Sequence, residues 1–404
     1  MRIVHTADWH LCNRLGRIDR TRDLQQRVET VARLCDEQRA DVLIIAGDLF
    51  SEYAEAEHVT AAFDHVLRTF DPFFARGGTI LAVTGNHDRD GRINLVRSGM
   101  TLAVPFAKKQ GGIAGGRMYL NNGRGFATLL GPDGRAVQFV FVPYPFRSRY
   151  DLSTADYMTK EEENNLLHAK VSEWLQSITT MDGFDTRVPT VLIGHLHVRG
   201  AEVHTVYKMN AADDVQFDFA DLHPSWAYVA LGHIHKPQTV NGQAHVRYPG
   251  SLDRLDSTED HEHGVILFEV GSTGLEGEPQ WLPIPATPFH AITLTDVAAE
   301  LPTLAEKYPD RESAIVKVEI QPHEMTMSRD EVARQLRRVF PRLHDVKWIP
   351  REASATTTGP TIDVRASLDS TVRDYLVNHG ELQADPDKDE LLKLLDTFLP
   401  RGGA

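Results

Sequence analysis

The first two-thirds of the chain alternates short apolar runs with stretches of helical spacing. Residues Arg2 to Thr6 read as a strand. From Thr21 to Arg39 the apolar positions Leu24, Val28, Val31, Ala32 and Leu34 recur at helical intervals, so a helix returns the chain to a second strand, Asp41 to Ala46. A second helix is expected from about Ala56 to Thr69, ending before Pro72, and a third strand from Thr79 to Val83. This β-α-β-α-β order predicts a layered α/β domain with parallel pairing. From about Gly111 to Phe146 the pattern shifts to short strands and turns, with Gly131-Pro132-Asp133-Gly134 preceding the alternating run Val137 to Val142. A polar helix, Thr159 to Ile178, leads to the strand Thr190 to Ile193; further strands are expected at Ala227 to Leu231, His245 to Tyr248 and Gly264 to Val270. Residues 200 to 225 lack periodicity and read as an irregular excursion.

Four prolines between Pro279 and Pro288 mark the expected end of this first domain, residues 1–280. Beyond them the pattern predicts a small α+β module within residues 288–355, with strands Ala291 to Leu294, Ser313 to Ile320 and Val346 to Ile349 and helices Asp296 to Glu306 and Ser328 to Val339. After a linker at Thr356 to Thr361, two amphipathic helices, about Thr371 to Asn378 and Asp387 to Leu399, form a tail (residues 365–404) with too little apolar surface for its own core. Its leucine stripe should therefore dock on a partner, or on the protein's own second module.

The chemistry of the chain sits where the apolar runs stop. Asp8 and His10, Asp48, Asn86 and His87, His195, and His233 and His235 each follow such a run. Residues far apart in sequence are thus expected along one sheet edge. A lone Asp-x-His is weak evidence, because an isolated histidine is more often structural; the ordered conjunction of five such motifs is what carries weight. Carboxylate oxygens, imidazoles and an amide oxygen suit a borderline-hard divalent ion such as Mn²⁺, whereas a structural zinc site favours thiolates. Two ions ~3.5–4 Å apart can share a bridging carboxylate, activate water and neutralise charge on a phosphoryl group, and a histidine outside the coordination can protonate the leaving oxygen. Glycine precedes the ligand in Gly47-Asp48, Gly85-Asn86, Gly194-His195 and Gly232-His233, where the turn over a strand end is tight.

Composition narrows the setting. The 404 residues carry 41% hydrophobic and 25% charged residues, an ordinary globular balance with material for two or three domains. No run approaches the ~20 apolar residues of a membrane span and no apolar leader precedes Arg2-Ile3-Val4-His5, so the expected location is the cytoplasm. Two cysteines, Cys12 and Cys35, are too few for a disulfide framework or thiolate metal site. The net charge of −14 argues against a protein that coats nucleic acid through bulk electrostatics. Basic residues nonetheless gather near the proposed site at Arg14, Arg17, Arg20 and Arg22, at Arg89 and Arg92, and at Arg147 and Arg149, a rim able to hold phosphates.

Ala7-Asp8-Trp9-His10-Leu11, Gly47-Asp48-Leu49-Phe50, Gly85-Asn86-His87-Asp88, the run Tyr228 to Gln238 and Tyr248-Pro249-Gly250-Ser251 resemble the calcineurin-like metallophosphoesterases, and among them the SbcD-type nuclease subunits of bacterial SbcCD DNA-repair complexes. The last two segments are the most specific, and the resemblance extends over essentially the whole chain. It implies a layered β-sandwich metallophosphoesterase core flanked by helices, a small α+β capping domain contacting DNA ends, and C-terminal helices docking on the coiled-coil base of an SbcC ATPase. It also implies that Asp8, His10 and His235 hold one ion, that Asn86, His195 and His233 hold the other, that Asp48 bridges, and that His87 donates the proton. The implied activity is Mn²⁺-dependent (Mg²⁺ as the alternative), 3′-5′ exonuclease on duplex DNA and endonuclease on single strands and hairpins, by hydroxide attack on the phosphodiester. The implied setting is a homodimer in a nucleoid-associated complex serving repair, recombination and replication. Two positions depart from the pattern: Ser51-Glu52 follows Gly47-Asp48-Leu49-Phe50, and a second histidine, His197, follows His195. His197 reads as a surface histidine, with a spare ligand or proton relay as the alternative; His58, His261 and His263 are left outside the site. Arg337, Arg338 and Arg342 read as DNA contacts or as a solvated face. Competing functions are a small-molecule or cyclic-nucleotide phosphodiesterase with the same metal site, and a non-catalytic scaffold.

Overall fold

The computed structural model describes residues 1–349 apart from 89–90, 92, 95, 97–112, 114, 151, 153–158, 204–213, 223–225 and 322–326. The expected tail helices, the linker before them, and Arg89 and Arg92 lie outside the described residues. Two six-stranded sheets stack face to face. The first runs Gly274–Ile284, His263–Gly271, Arg2–Thr6, Val42–Ala46, Thr79–Val83, Met118–Asn121; its last four strands are parallel and its first two antiparallel. The second runs Gln238–Val240, Gln243–Tyr248, Tyr228–Gly232, Thr190–His195, Ala136–Val142, Gly125–Leu130, with a parallel centre and antiparallel edges.

The central strands Val42–Ala46, Thr79–Val83 and Tyr228–Gly232 are largely apolar and fully buried because both faces are covered. Along Val42–Ala46, Val42, Ile44 and Ala46 point into the core between the sheets, where they meet Phe139, Ile193 and Tyr228. Leu43 and Ile45, one pleat away, pack under the helices Thr21–Glu37 and Ala56–Thr69. The helix Lys160–Ser177 covers the outer face of the second sheet through Leu167, Val171 and Leu175. Thr159 starts it with a capping box, its hydroxyl accepting from the Glu162 N–H while the Glu162 carboxylate accepts from the Thr159 N–H. The result is the α-β-β-α layering expected for the first domain. Among the described residues, no helix is long and apolar enough to cross a membrane.

Three expectations change. Pro279 and Pro283 do not open a linker; they lie within the eleven-residue strand Gly274–Ile284, which occupies a sheet edge where a residue lacking an N–H is tolerated. In the second module, the single helix expected at 296–306 is broken by Pro302 into Val297–Glu300, a 3₁₀ turn Leu301–Thr303, and Leu304–Lys307. That module otherwise follows its pattern, with parallel strands Phe289–Leu294, Ile315–Ile320 and Leu343–Trp348 and the helix Arg329–Val339 around an apolar cluster of its own. Arg342 binds the Asp23 carboxylate of the first helix and the Ser313 carbonyl, so it ties the module to the core and is not a DNA-facing or solvated side chain.

Candidate metal centre

Each parallel strand of the two facing sheets ends at the same rim, and the expected residues meet there. The turns that follow Arg2–Thr6 and Val42–Ala46 run side by side: the Asp8 N–H donates to the Gly47 carbonyl (3.1 Å), and the His10 N–H to the Asp48 carbonyl (2.9 Å). Asp8, His10, Asp48 and His233 all hold positive φ, at 51°, 43°, 49° and 101°. Non-glycine residues seldom adopt that conformation, and it concentrates at functional sites. Gly47 and Gly85 leave the room this needs. A Cβ on Gly47 (φ +95°) would lie 2.0 Å from His195 Nδ1, and one on Gly85 2.0 Å from Asp48 Oδ1.

Asn86, His195 and His233 point three polar atoms at one place. Asn86 Oδ1 lies 3.0 Å from His195 Nε2 and 3.1 Å from His233 Nδ1, and Asp48 Oδ2 lies 3.4 Å from His195 Nε2. The outer nitrogens fix the tautomers. His195 Nδ1 donates to the Ala46 carbonyl (2.8 Å) and His233 Nε2 to the Asp214 carboxylate (2.6 Å), acceptors that hold no proton of their own. With the outer nitrogens engaged, a neutral ring can offer only its inner nitrogen, and that nitrogen faces oxygens that also present lone pairs, so the position calls for a positive charge, either a proton or a metal cation.

A second cluster lies on the other side of Asp48. The ligand atoms of Asp8, His10 and His235 fall within 4.8 Å of one another. His235 Nδ1 donates to Glu259 Oε1 (3.1 Å), leaving Nε2 for the site. His10 Nε2 is buried, makes no hydrogen bond, and lies 3.5 Å from Asp48 Oδ2. Asp48 thus stands between both clusters. An orphaned imidazole nitrogen and converging lone pairs fit divalent cations.

Charge agrees with geometry. Burial works against the charge of Asp48, but His195 and His10 outweigh it and hold its carboxyl far below the usual range. Burial likewise opposes protonation of His195, which Asp48 and Asp8 overcome, raising it to about 9; His235 rises to about 9 because Glu259 and Asp8 overcome its burial. Burial pushes the Asp8 carboxyl up to about 6, against the pull of His195 and His235. Protein alone keeps protons where a cation would sit.

His87 stands at the mouth, about one-third exposed, with Nε2 3.9 Å from Asp48 Oδ2 and Nδ1 3.8 Å from Glu52 Oε2. Its N–H donates to Asp48 Oδ1 (2.9 Å), and its ring lies edge-on to His10 at 4.9 Å. The departing residue Glu52 is therefore beside the expected proton donor. Asp88 is buried and accepts from the N–H groups of Leu49, Phe50 and Gly85, tying the two turns together.

Two carboxylates carry no signal in the motifs. Glu259 supports His235 and takes the Ser251 hydroxyl (3.1 Å), whose own N–H donates to the His235 carbonyl; this is where the Tyr248-Pro249-Gly250-Ser251 segment acts. Asp214 supports His233. The surface reading of His197 is overturned: it is 5% exposed, and its Nδ1 lies 3.0 Å from Asp214 Oδ2. The basic rim also loses a member, since Arg20 is fully buried in an ion pair with Asp253 (2.9 Å).

The sequence profile of the calcineurin-like phosphoesterases matches residues 1–237, a span that includes every candidate ligand and His87. The chain is similar to the D subunit of the nuclease SbcCD from Escherichia coli K12, with 25% identity over 309 residues, 74% of this chain and 72% of that one. The SbcCD protein of the same name from Rhodobacter capsulatus is 26% identical over 334 residues, 78% of each chain.

Proposed function

We propose, from the premise that this chain belongs to the calcineurin-like phosphoesterase family and is a phosphodiester hydrolase, that its substrate is DNA and that it is the nuclease subunit of an SbcCD-type complex. The observation that carries the metal-dependent part is the convergence of Asn86 Oδ1, His195 Nε2 and His233 Nδ1 beside the Asp48 carboxylate. The DNA part rests on similarity to nucleases over three-quarters of the chain.

In this reading Asp8, His10 and His235 would hold one Mn²⁺ and Asn86, His195 and His233 the other, with Asp48 available to both. When bound, such ions lower the pKa of water and offset charge on the phosphoryl oxygens. The protein's own part is alignment: Ala46, Asp214 and Glu259 hold the outer nitrogens of three histidines so that the inner ones converge. His87, beside Asp48 and open to the rim, holds the proton that goes to the departing sugar 3′-oxygen. Residues 1–280 form the nuclease domain and residues 288–355 cap it and touch DNA ends. Residues 365–404 dock on the base of the SbcC coiled coil, and the nuclease works as a cytoplasmic, nucleoid-associated homodimer. Exonuclease action on duplex ends and endonuclease action on single strands and hairpins follow from the same reading.

The net charge of −14 favours the competing reading, a phosphodiesterase for small molecules or cyclic nucleotides. Linear duplex DNA, a cyclic nucleotide and bis-p-nitrophenyl phosphate, each with Mn²⁺, separate the two. Degradation of DNA is expected. Turnover of the cyclic nucleotide with intact DNA would replace the nuclease reading. Deleting residues 370–404 should abolish co-purification with an SbcC partner and spare Mn²⁺-dependent cleavage; retained binding would refute the docking role.

A further inference from the structure

We infer that Asp214 is the positioning residue of the Asn86–His195–His233 cluster, locking His233 in the tautomer and orientation that aim Nδ1 at the ion. The inference rests on the metal-centre reading above. Asp214 lies outside the strand-end motifs, in an irregular segment, yet it is 2% exposed and fully engaged. Its Oδ2 accepts from His233 Nε2 (2.6 Å) and His197 Nδ1 (3.0 Å), and its Oδ1 from the Tyr144 hydroxyl (2.8 Å) and the Val215 N–H (2.8 Å). The segment is itself anchored, because His197 and Val198 pair in parallel with Gln216 and Phe217 two residues further on.

Four donors meet four acceptor positions, so the group at 214 must be a carboxylate. His233 bonded at Nε2 has its proton there, which leaves Nδ1 as the lone pair facing Asn86 Oδ1. The role of His197 follows. It reaches the same oxygen from the short strand His197–Val198, two residues beyond His195, and so links the segment that follows one candidate ligand to the orientation of another through one carboxylate. A third ion among His197, Asp214 and His233 is the competing use of these atoms. The 2.6 Å separation speaks against it, because bonds of ~2.1 Å to a common ion hold two ligand atoms roughly 3 Å or more apart.

Asp214→Asn tests this with almost no change of volume. An amide has one acceptor atom. The Val215 N–H is backbone and cannot turn, so the amide oxygen must stay on it and the NH₂ must face the two histidines. His233 Nε2 can then only accept, the proton moves to Nδ1, and the ligand position is blocked. In the full-length chain, isothermal titration with Mn²⁺ and the EPR spectrum of bound Mn²⁺ should count two ions in the wild type. In Asp214→Asn one ion should keep its affinity and the other weaken about 10–100-fold, with circular dichroism unchanged. Nitrogen-15 NMR of histidine-labelled, metal-free wild type gives an answer even if the variant misfolds: the His233 signal, identified by its loss in His233→Gln, should be that of an Nε2–H tautomer. Wild-type affinity for both ions in folded Asp214→Asn, an Nδ1–H tautomer of His233, or a third ion lost in the variant would each overturn the inference. Wild type binding no Mn²⁺ would instead bring down the metal-centre reading on which it stands.

Discussion

Gly47→Ala should disable the centre without touching a ligand. The added Cβ would fall 2.0 Å from His195 Nδ1, 2.4 Å from Cγ and 2.8 Å from Cβ, where ordinary contact begins at 3.4 Å. The imidazole must retreat by about 1.4 Å. It cannot do so and keep its 2.8 Å bond to the Ala46 carbonyl, and His195 Nε2 leaves its place beside Asn86 and Asp48. Metal ligation tolerates errors of about 0.2 Å, and misplacement by 1 Å can cost roughly 100-fold in rate. Alanine at φ +95° adds strain of about 1–3 kcal/mol, and the lost hydrogen bond about 1 kcal/mol. A stability loss of about 2–4 kcal/mol and a fall in kcat/KM of about 100-fold or more are expected. Urea unfolding and Mn²⁺-dependent hydrolysis of bis-p-nitrophenyl phosphate read the two. Stability within about 0.5 kcal/mol and a rate within roughly threefold of wild type, bounds set by the ordinary scatter of surface substitutions, would refute the packing argument.

Mn²⁺ binding should release protons: His195 and His235, raised to about 9 in the metal-free chain, are charged at pH 7.5 and must become neutral to ligate, so affinity should climb as pH rises toward 9. Titration calorimetry in HEPES and Tris checks this, and enthalpies that do not depend on the buffer would contradict it. Arg20→Ala leaves the Asp253 carboxylate buried without its 2.9 Å partner and should cost about 3–5 kcal/mol in urea unfolding, with Mn²⁺ stoichiometry intact in the protein that remains folded; an unchanged midpoint would show that Arg27 alone suffices. Glu259→Gln should weaken binding of the ion held by His235 about 10-fold and leave the other unaffected, read by Mn²⁺ EPR; equal loss at both positions would mean that Glu259 only supports the fold.

The strands and the candidate ligands are legible in the sequence for one reason. A strand buried on both faces writes itself as an unbroken apolar run, and a polar residue just beyond its end has few places to go other than the sheet rim. Asp8, Asp48, Asn86, His195 and His233 are all of this kind. Asp214 is not legible because nothing local distinguishes it from Asp213; its role comes from the pairing of 216–217 with 197–198 and from Tyr144 and His233 reaching it from elsewhere. Glu259 is hidden in the same way, in a charged turn. Arg20 reads as surface because arginine usually is, and its burial depends largely on partners distant in sequence, Asp253, Thr287 and the Arg254 carbonyl. Pro279 and Pro283 read as a linker because an edge position, where proline is tolerated, depends on which strands lie outside it.

In the proposed mechanism two ions shared by Asp48 carry the hydrolysis while His87 supplies a proton and no ligand. Mn²⁺ stoichiometry and cleavage of linear duplex DNA, measured side by side for wild type, His87→Ala and Asp48→Ala, test it most directly. Wild type should bind two ions and cleave, His87→Ala should bind two ions without cleaving, and Asp48→Ala should lose both metal and cleavage; cleavage at the wild-type rate in either variant would contradict this mechanism.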